Sequence, residues 1–322
     1  MNKLTKIGLS ALAGSLVAIS AHAGSLSVSG SASISFADGD TDNAGGTAAE
    51  DNQWTMGDSL TFKGGGELDN GMSVAVKYEY DDDEGDLNHG GGLPGFDSHS
   101  ITLSSAEMGS ITFAGHGGKT NMDNMDDKTP NAFEESWDGV SEADEETLVN
   151  GITGDNSFFY KAPSMGGLTL SVAYVPQGET ATPNGSYIDF GVVAKPEAID
   201  GLEVGVAFGE TEETTGTTVD EQAIYAKYTL GSISAGINMN ESDTIDFTSF
   251  GISFAVTDDI SVSYSASESE IAGANDQEAS GVSASFTSGG MTIAGMINTV
   301  DNASFEAAND TEGYEINFSF AF

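Results

Sequence analysis

The chain has 322 residues, 51 acidic and 9 basic, for a formal net charge of −42; every basic residue is lysine, and cysteine is absent. That charge excludes a nucleic-acid partner, whose phosphates need Lys and Arg, and the missing thiols exclude disulfides, a Cys nucleophile and thiolate metal sites. At 38% hydrophobic and 9% aromatic residues, the chain is too apolar to be wholly disordered.

The N-terminus reads first. Lys3 and Lys6 precede an apolar run from Ile7 to Ile19, and Ala21-His22-Ala23 follows as an A-x-A cleavage site. This pattern predicts a secretory signal peptide over residues 1–23, the run being shorter than the roughly 20 residues of a spanning helix. The folded part is then expected over 24–322, as one domain.

From Ser25 onward the dominant period is two. Residues 25–36 alternate Ser with apolar residues or Gly, so one strand face is apolar and the other polar. Met72, Val74, Val76, Tyr78 and Tyr80 repeat this, as do Leu168, Leu170, Val172 and Tyr174, then Ile188, Phe190 and Val192. The last set is Tyr314, Ile316, Phe318, Phe320 and Phe322. About sixteen strands are predicted, at 25–36, 58–67, 71–80, 98–105, 108–115, 156–163, 166–175, 186–195, 201–209, 220–229, 231–239, 245–256, 259–267, 277–287, 290–298 and 312–322. Several are about 9–11 residues long, enough for a tilted strand to cross a bilayer. Long connections (37–57, 81–97, 116–155, 176–185, 210–219, 240–244, 268–276, 299–311) alternate with tight turns such as Asp69-Asn70-Gly71 and Ser288-Gly289.

A soluble sandwich or a secreted β-rich adhesin would share period two. The even strand number, the Ser/Thr/Gly/Glu/Lys face suited to a wet lumen, and the aromatics near segment ends favour an all-β fold, a transmembrane antiparallel up-and-down barrel. Closure also removes sheet edges.

Three stretches resemble Gram-negative general porins, the sixteen-stranded trimeric class. One is the C-terminal Tyr314-Glu-Ile-Asn-Phe-Ser-Phe-Ala-Phe322. The second is Asn156-Ser-Phe-Phe-Tyr160-Lys-Ala-Pro163 with Gly166–Tyr174. The third is the short alternating strand after the signal peptide. The resemblance implies a bacterial outer-membrane diffusion channel and a homotrimer in outer-membrane lipid. It implies an insertion signal read by the barrel-assembly machinery on Tyr314, Phe318, Phe320 and Phe322. It implies a third loop, 116–155, folded into the lumen as a constriction. Small hydrophilic solutes and ions would pass without bond chemistry or cofactor.

The candidate site residues follow from charge and parity. Between Asp123 and Glu146 lie ten acids and one Lys, Lys128; the acids include Asp123, Asp126, Asp127, Glu134, Glu135 and Asp138. Acidic clusters favour cations in a pore, so a cation preference is expected. Lys63, Lys77 and Lys161 fall on the polar strand face, away from lipid, where a lysine would cost about 2–4 kcal/mol at the midplane. By resemblance they form a basic wall opposite the loop, although the family's usual arginine cluster is missing. Asp38, Asp40 and Asp42 have alternate spacing that could contribute to a calcium site, without a full calcium-loop pattern; a plain solvated loop is the competing reading. His89, His99 and His116 have no metal spacing, and no catalytic constellation emerges. Two alternatives stay open: a sugar- or phosphate-specific channel, and the secreted adhesin.

Overall fold

The computed structural model describes residues 24–41, 53–82, 96–138, 149, 151–152, 155–176, 184–213 and 216–322. The expected leader at 1–23 lies outside them. Sixteen strands run in chain order: β1 Ser25–Thr41, β2 Gln53–Glu67, β3 Ser73–Asp82, β4 Ser98–Ser105, β5 Gly109–His116, β6 Ser157–Lys161, β7 Leu168–Val175 and β8 Asn184–Ala194. They continue as β9 Leu202–Glu213, β10 Thr218–Leu230, β11 Ile233–Ser242, β12 Ile245–Ala255, β13 Ile260–Ile271, β14 Gln277–Ser288, β15 Met291–Asp301 and β16 Thr311–Ala321. Each pairs antiparallel with its chain neighbours, and β1 pairs with β16 to close the barrel. Among the described residues, no helix is long and apolar enough to cross a membrane; strands do the crossing.

Alternation sets the two faces. Along β12, Phe250, Ile252 and Phe254 point out and are exposed, while Phe247 and Ser249 point in and are buried. The outer face carries most of the large apolar side chains, such as Phe208, Val282 and Ile297. Most of the buried apolar residues instead form two small clusters inside the barrel.

The strands overrun the expected boundaries at the long-loop end. β1 continues to Thr41 and β2 begins at Gln53, so Asp38 and Asp40 belong to a paired strand and not to a loop. β9 runs to Glu213 and β11 to Ser242, shrinking the connections read as 210–219 and 240–244 to 214–217 and 243–244. These segments are polar on both faces, so their hydropathy resembles a loop. The backbone ladder needs no apolar side chain, and pairing continues beyond the apolar belt. β6 is shorter than expected because Asn156, at φ 53, precedes it and Pro163, which has no N–H, follows.

The other rim is tight. The β2–β3 turn closes with Leu68 N–H donating to Met72 O at 2.7 Å and Gly71 N–H to Leu68 O at 2.9 Å. Gly71 sits at φ 79, which favours glycine.

Candidate functional site

The third connection leaves β5 at His116 and returns at β6. At its root, the His116 Nδ1 and Asp155 Oδ1 atoms lie 2.6 Å apart. Between them, the described loop, residues 117–138, lies against the inner wall and not outside the barrel. The sequence expectation of an inserted loop covers 116–155; residues 139–148, with Glu142, Asp144, Glu145 and Glu146, lie outside the described residues.

The loop is held first by one buried carboxylate. Asp189, on β8, is fully buried. Its Oδ2 accepts from Asn121 N–H at 2.5 Å, Met122 N–H at 3.0 Å and the Tyr187 hydroxyl at 3.1 Å. Its Oδ1 accepts from Asn121 Nδ2 at 2.7 Å and Ala173 N–H at 3.1 Å. Five donors on one carboxylate make burial of the charge tolerable, because charge-assisted bonds are the strong ones. Ser171 Oγ on β7 donates to the Asn121 Oδ1 from the other side. Beside this clamp Met122 and Met125 pack with Val149, Val175, Tyr187 and Tyr225.

The loop then passes over β11 to β15. Asn238 and Asn240 donate to Asp126 O at 2.9 and 3.2 Å. Ser263 Oγ accepts from Ala132 N–H at 2.9 Å, Ser265 Oγ from Ser136 N–H at 2.9 Å, and Ser283 Oγ from Phe133 N–H at 3.2 Å. Asn298 Nδ2 donates to Ser136 O at 3.0 Å. Trp137 meets Phe247 edge-on, with ring centroids 5.5 Å apart, inside the second apolar cluster. Wall glycines make the approach possible: a Cβ on Gly251 would stand 2.8 Å from Thr129 Cβ. Short hydroxyls and amides thus satisfy the backbone of an irregular segment that water reaches poorly.

The docked loop carries the acids the sequence singled out. Asp126 is pushed up to about 7, chiefly by burial and then by Asp123 and Asp127. Glu135 is pushed up to about 8 by burial and then by the charge of Asp127. Asp127 is also raised, chiefly by burial, while a hydrogen bond from Glu135 and the charges of Lys128 and Lys227 pull it down. Protonated Glu135 therefore donates to the Asp127 carboxylate, and Asn131 Nδ2 holds Glu135 Oε1 at 2.6 Å. Asp123 is salt-bridged to Lys119 at 3.2 Å. Glu134, Glu135 and Asp138 bring carboxylate oxygens within 4.8 Å of one another. Among the described residues this is the one three-carboxylate group at such spacing. Of the calcium candidates, Asp38 accepts from Tyr314 Oη at 3.1 Å and Asp40 pairs in register with Glu312, while Asp42 lies outside the described residues.

Lys63, Lys77 and Lys161 lie on the strands β2, β3 and β6. Lys63 and Lys77 are directly opposite in the β2–β3 register. Lys77 Nζ, however, lies 2.5 Å from Glu79 Oε2. Lys161 is in register with Ser171, the serine that meets Asn121. Lys195 is likewise paired, 2.7 Å from Glu203. Tyr314, Phe320 and Phe322 are exposed on the outer face, with Phe318 partly covered. Phe322 closes the seam: its N–H donates to Gly30 O at 2.9 Å, and Gly30 N–H to Phe322 O at 2.8 Å.

Sequence reading missed Asp189, Asn238, Asn240 and the Ser263–Ser265–Ser283 set. The signal for the last was present: β13 alternates serine from Ser261 to Ser269. It reads as a wet wall until a loop is laid upon it.

A closed sixteen-stranded barrel, apolar outside, polar within and narrowed by a loop, defines a transmembrane channel. A profile of Gram-negative porins matches residues 8–322, and the chain belongs to that family. It is therefore an outer-membrane diffusion channel. Solved structures agree on the fold. An anion-selective porin from Comamonas acidovorans superposes with a TM-score of 0.67 at 16% identity, covering 93% of this chain and all of that one. A triple mutant of the Rhodopseudomonas blastica porin gives 0.67 at 17%, over 92% and 100%. OmpT, an outer-membrane protein of Vibrio cholerae, gives 0.66 at 13%, over 96% and 100%. No curated protein matches the chain.

Proposed function

We propose that this porin passes small hydrophilic solutes and ions by diffusion, without bond chemistry, and prefers cations. The observation that carries the preference is the docked loop. Its described part holds Asp123, Asp126, Asp127, Glu134, Glu135 and Asp138 against only Lys119 and Lys128. Acidic groups at a narrow place lower the energy of a cation there. The anion-selective Comamonas porin has the same fold at 16% identity, so preference comes from each chain's charges and not from the barrel. The outward aromatics of β16 support an insertion signal for the assembly machinery. Trimerisation follows the family resemblance.

The test is a planar lipid bilayer with a KCl gradient across it. A reversal potential on the cation side is expected, with conductance entering in threes for a trimer. An anion-side potential overturns the preference. No conductance from heat-modifiable, folded protein overturns the channel.

A further inference from the structure

The wall built by β2, β3 and β4 holds an acid that the charge reading passed over. Lys63 and Lys77 face each other across the β2–β3 pair, and like charges directly opposite repel. Glu79, two residues beyond Lys77 on the same lumenal face, receives three donors from three strands. Lys77 Nζ reaches Oε2 at 2.5 Å, Ser98 Oγ reaches Oε2 at 2.9 Å, and Thr61 Oγ1 reaches Oε1 at 2.9 Å. The carboxylate is thus fixed in place by β2 and β4 as well as by its lysine. The Glu79 side chain is also more covered than that of Lys77, with 22% against 39% exposed. The other lumen-parity carboxylates of these strands, Glu67 and Asp81, lie at or near strand ends.

We propose that Glu79 is a selectivity-determining residue: it cancels Lys77, so that this wall offers a passing anion one ammonium, Lys63, in place of two. The two hydroxyls matter because they hold the carboxylate on the wall whether or not the lysine swings away. An anion entering near Lys77 must displace a partner that is already in contact. A cation meets a neutral pair there in place of a second ammonium. This deepens the cation-preferring reading and rests on it for the direction of the unmodified channel.

The experiment compares reversal potentials in a KCl gradient for the full protein, Glu79→Gln, Lys77→Met and the double variant, each checked for the gel shift on boiling. Glu79→Gln keeps the shape and frees Lys77. One charge some 5–8 Å from an ion in a water-like medium shifts each ion about two- to fourfold and in opposite senses, so the potassium-to-chloride permeability ratio is expected to fall about five- to fifteenfold. Lys77→Met should raise the ratio, and the double variant should return close to the parent. A residue that only supports the fold would not show that reversal. An unchanged ratio in folded Glu79→Gln overturns the proposal and leaves the loop reading intact. An anion-preferring parent overturns the loop reading, while a further anion shift in Glu79→Gln still supports Glu79. If Glu79→Gln does not fold, Thr61→Val with Ser98→Ala releases the carboxylate. A smaller shift of the same sign is then expected, and no shift overturns the proposal.

Discussion

The barrel has two inner walls made from the same alphabet and used differently. On β1, Ser27, Ser29 and Ser31 point inward and are exposed; on β13, Ser263, Ser265, Ser267 and Ser269 point inward and are buried. Position on the strand is equivalent and the residue is identical. What differs is whether a loop lies against the wall. On the bare side, hydroxyls bond only along the wall, Ser27 Oγ to Lys63 O at 3.4 Å and Ser31 Oγ with Ser59 Oγ at 3.0 Å. On the covered side, they receive backbone N–H groups that would otherwise lose a partner. A serine face is therefore a neutral ground, and the charges placed on it decide what each wall does. The covered wall gains loop carboxylates; the bare wall carries lysines, one already matched.

The largest way to break this contrast is to remove the clamp. Asp189→Ala leaves five donors without their acceptor, four of them backbone or side-chain groups of the loop and β7 wall. Loop docking should weaken by about 5 kcal/mol or more, since a lost bond to a charged group costs about 1.5–3. Single-channel records should show a larger, noisier conductance, and trypsin should reach the loop. Trp137→Ala comes next. It empties the contact with Phe247, and truncating a buried Trp costs roughly 3–5 kcal/mol. The unfolding midpoint in denaturant should fall, with the same rise in current noise.

Acidity sharpens the contrast without breaking it. Asp126 and Glu135 have folded pKa values raised to about 7 and about 8, above the ordinary carboxylate value near 4. The docked loop holds protons that a free loop would release. This stabilisation is complete below about pH 4 and is lost as pH rises through about 7–8. Over the same rise the loop gains negative charge. Cation preference, read from reversal potentials, should therefore grow between about pH 6 and 9, and Glu135→Gln should flatten that profile. The smallest effect belongs to Ser283→Ala. It removes one acceptor of the Phe133 N–H and a 2.6 Å partner of Ser263, worth about 1 kcal/mol. A unfolding measurement on the parent and variant should resolve it.

Strand count, order and facing were legible because alternation is enforced on every strand by an apolar exterior. The reading failed where that enforcement stops. From Ala37 to Thr41 and from Glu210 to Glu213, polarity on both faces hid continued pairing. The acids of the loop were legible as a run. Their docking was not, because Asp189 between Ile188 and Phe190 resembles any lumenal acid until Asn121 is beside it. The match of Lys77 with Glu79 was visible as a spacing of two on one face, yet Thr61 and Ser98, which fix it, come from other strands.

The seam between β1 and β16 pairs Ser31 with Ala321 through Thr41 with Thr311, partners separated by nearly the whole chain. Every other strand pair joins neighbours and can form locally. This one pays the closure entropy of the entire sheet, and contacts so distant in sequence are slow to form. Until they do, two strands show open hydrogen-bonding edges, one bearing Phe36 and the other Tyr314, Phe318 and Phe320. The half-made protein is thus a long sheet with adhesive margins, at risk of joining a second copy edge to edge. Shutting the seam turns those margins into a single ladder and leaves the sheet without a free edge.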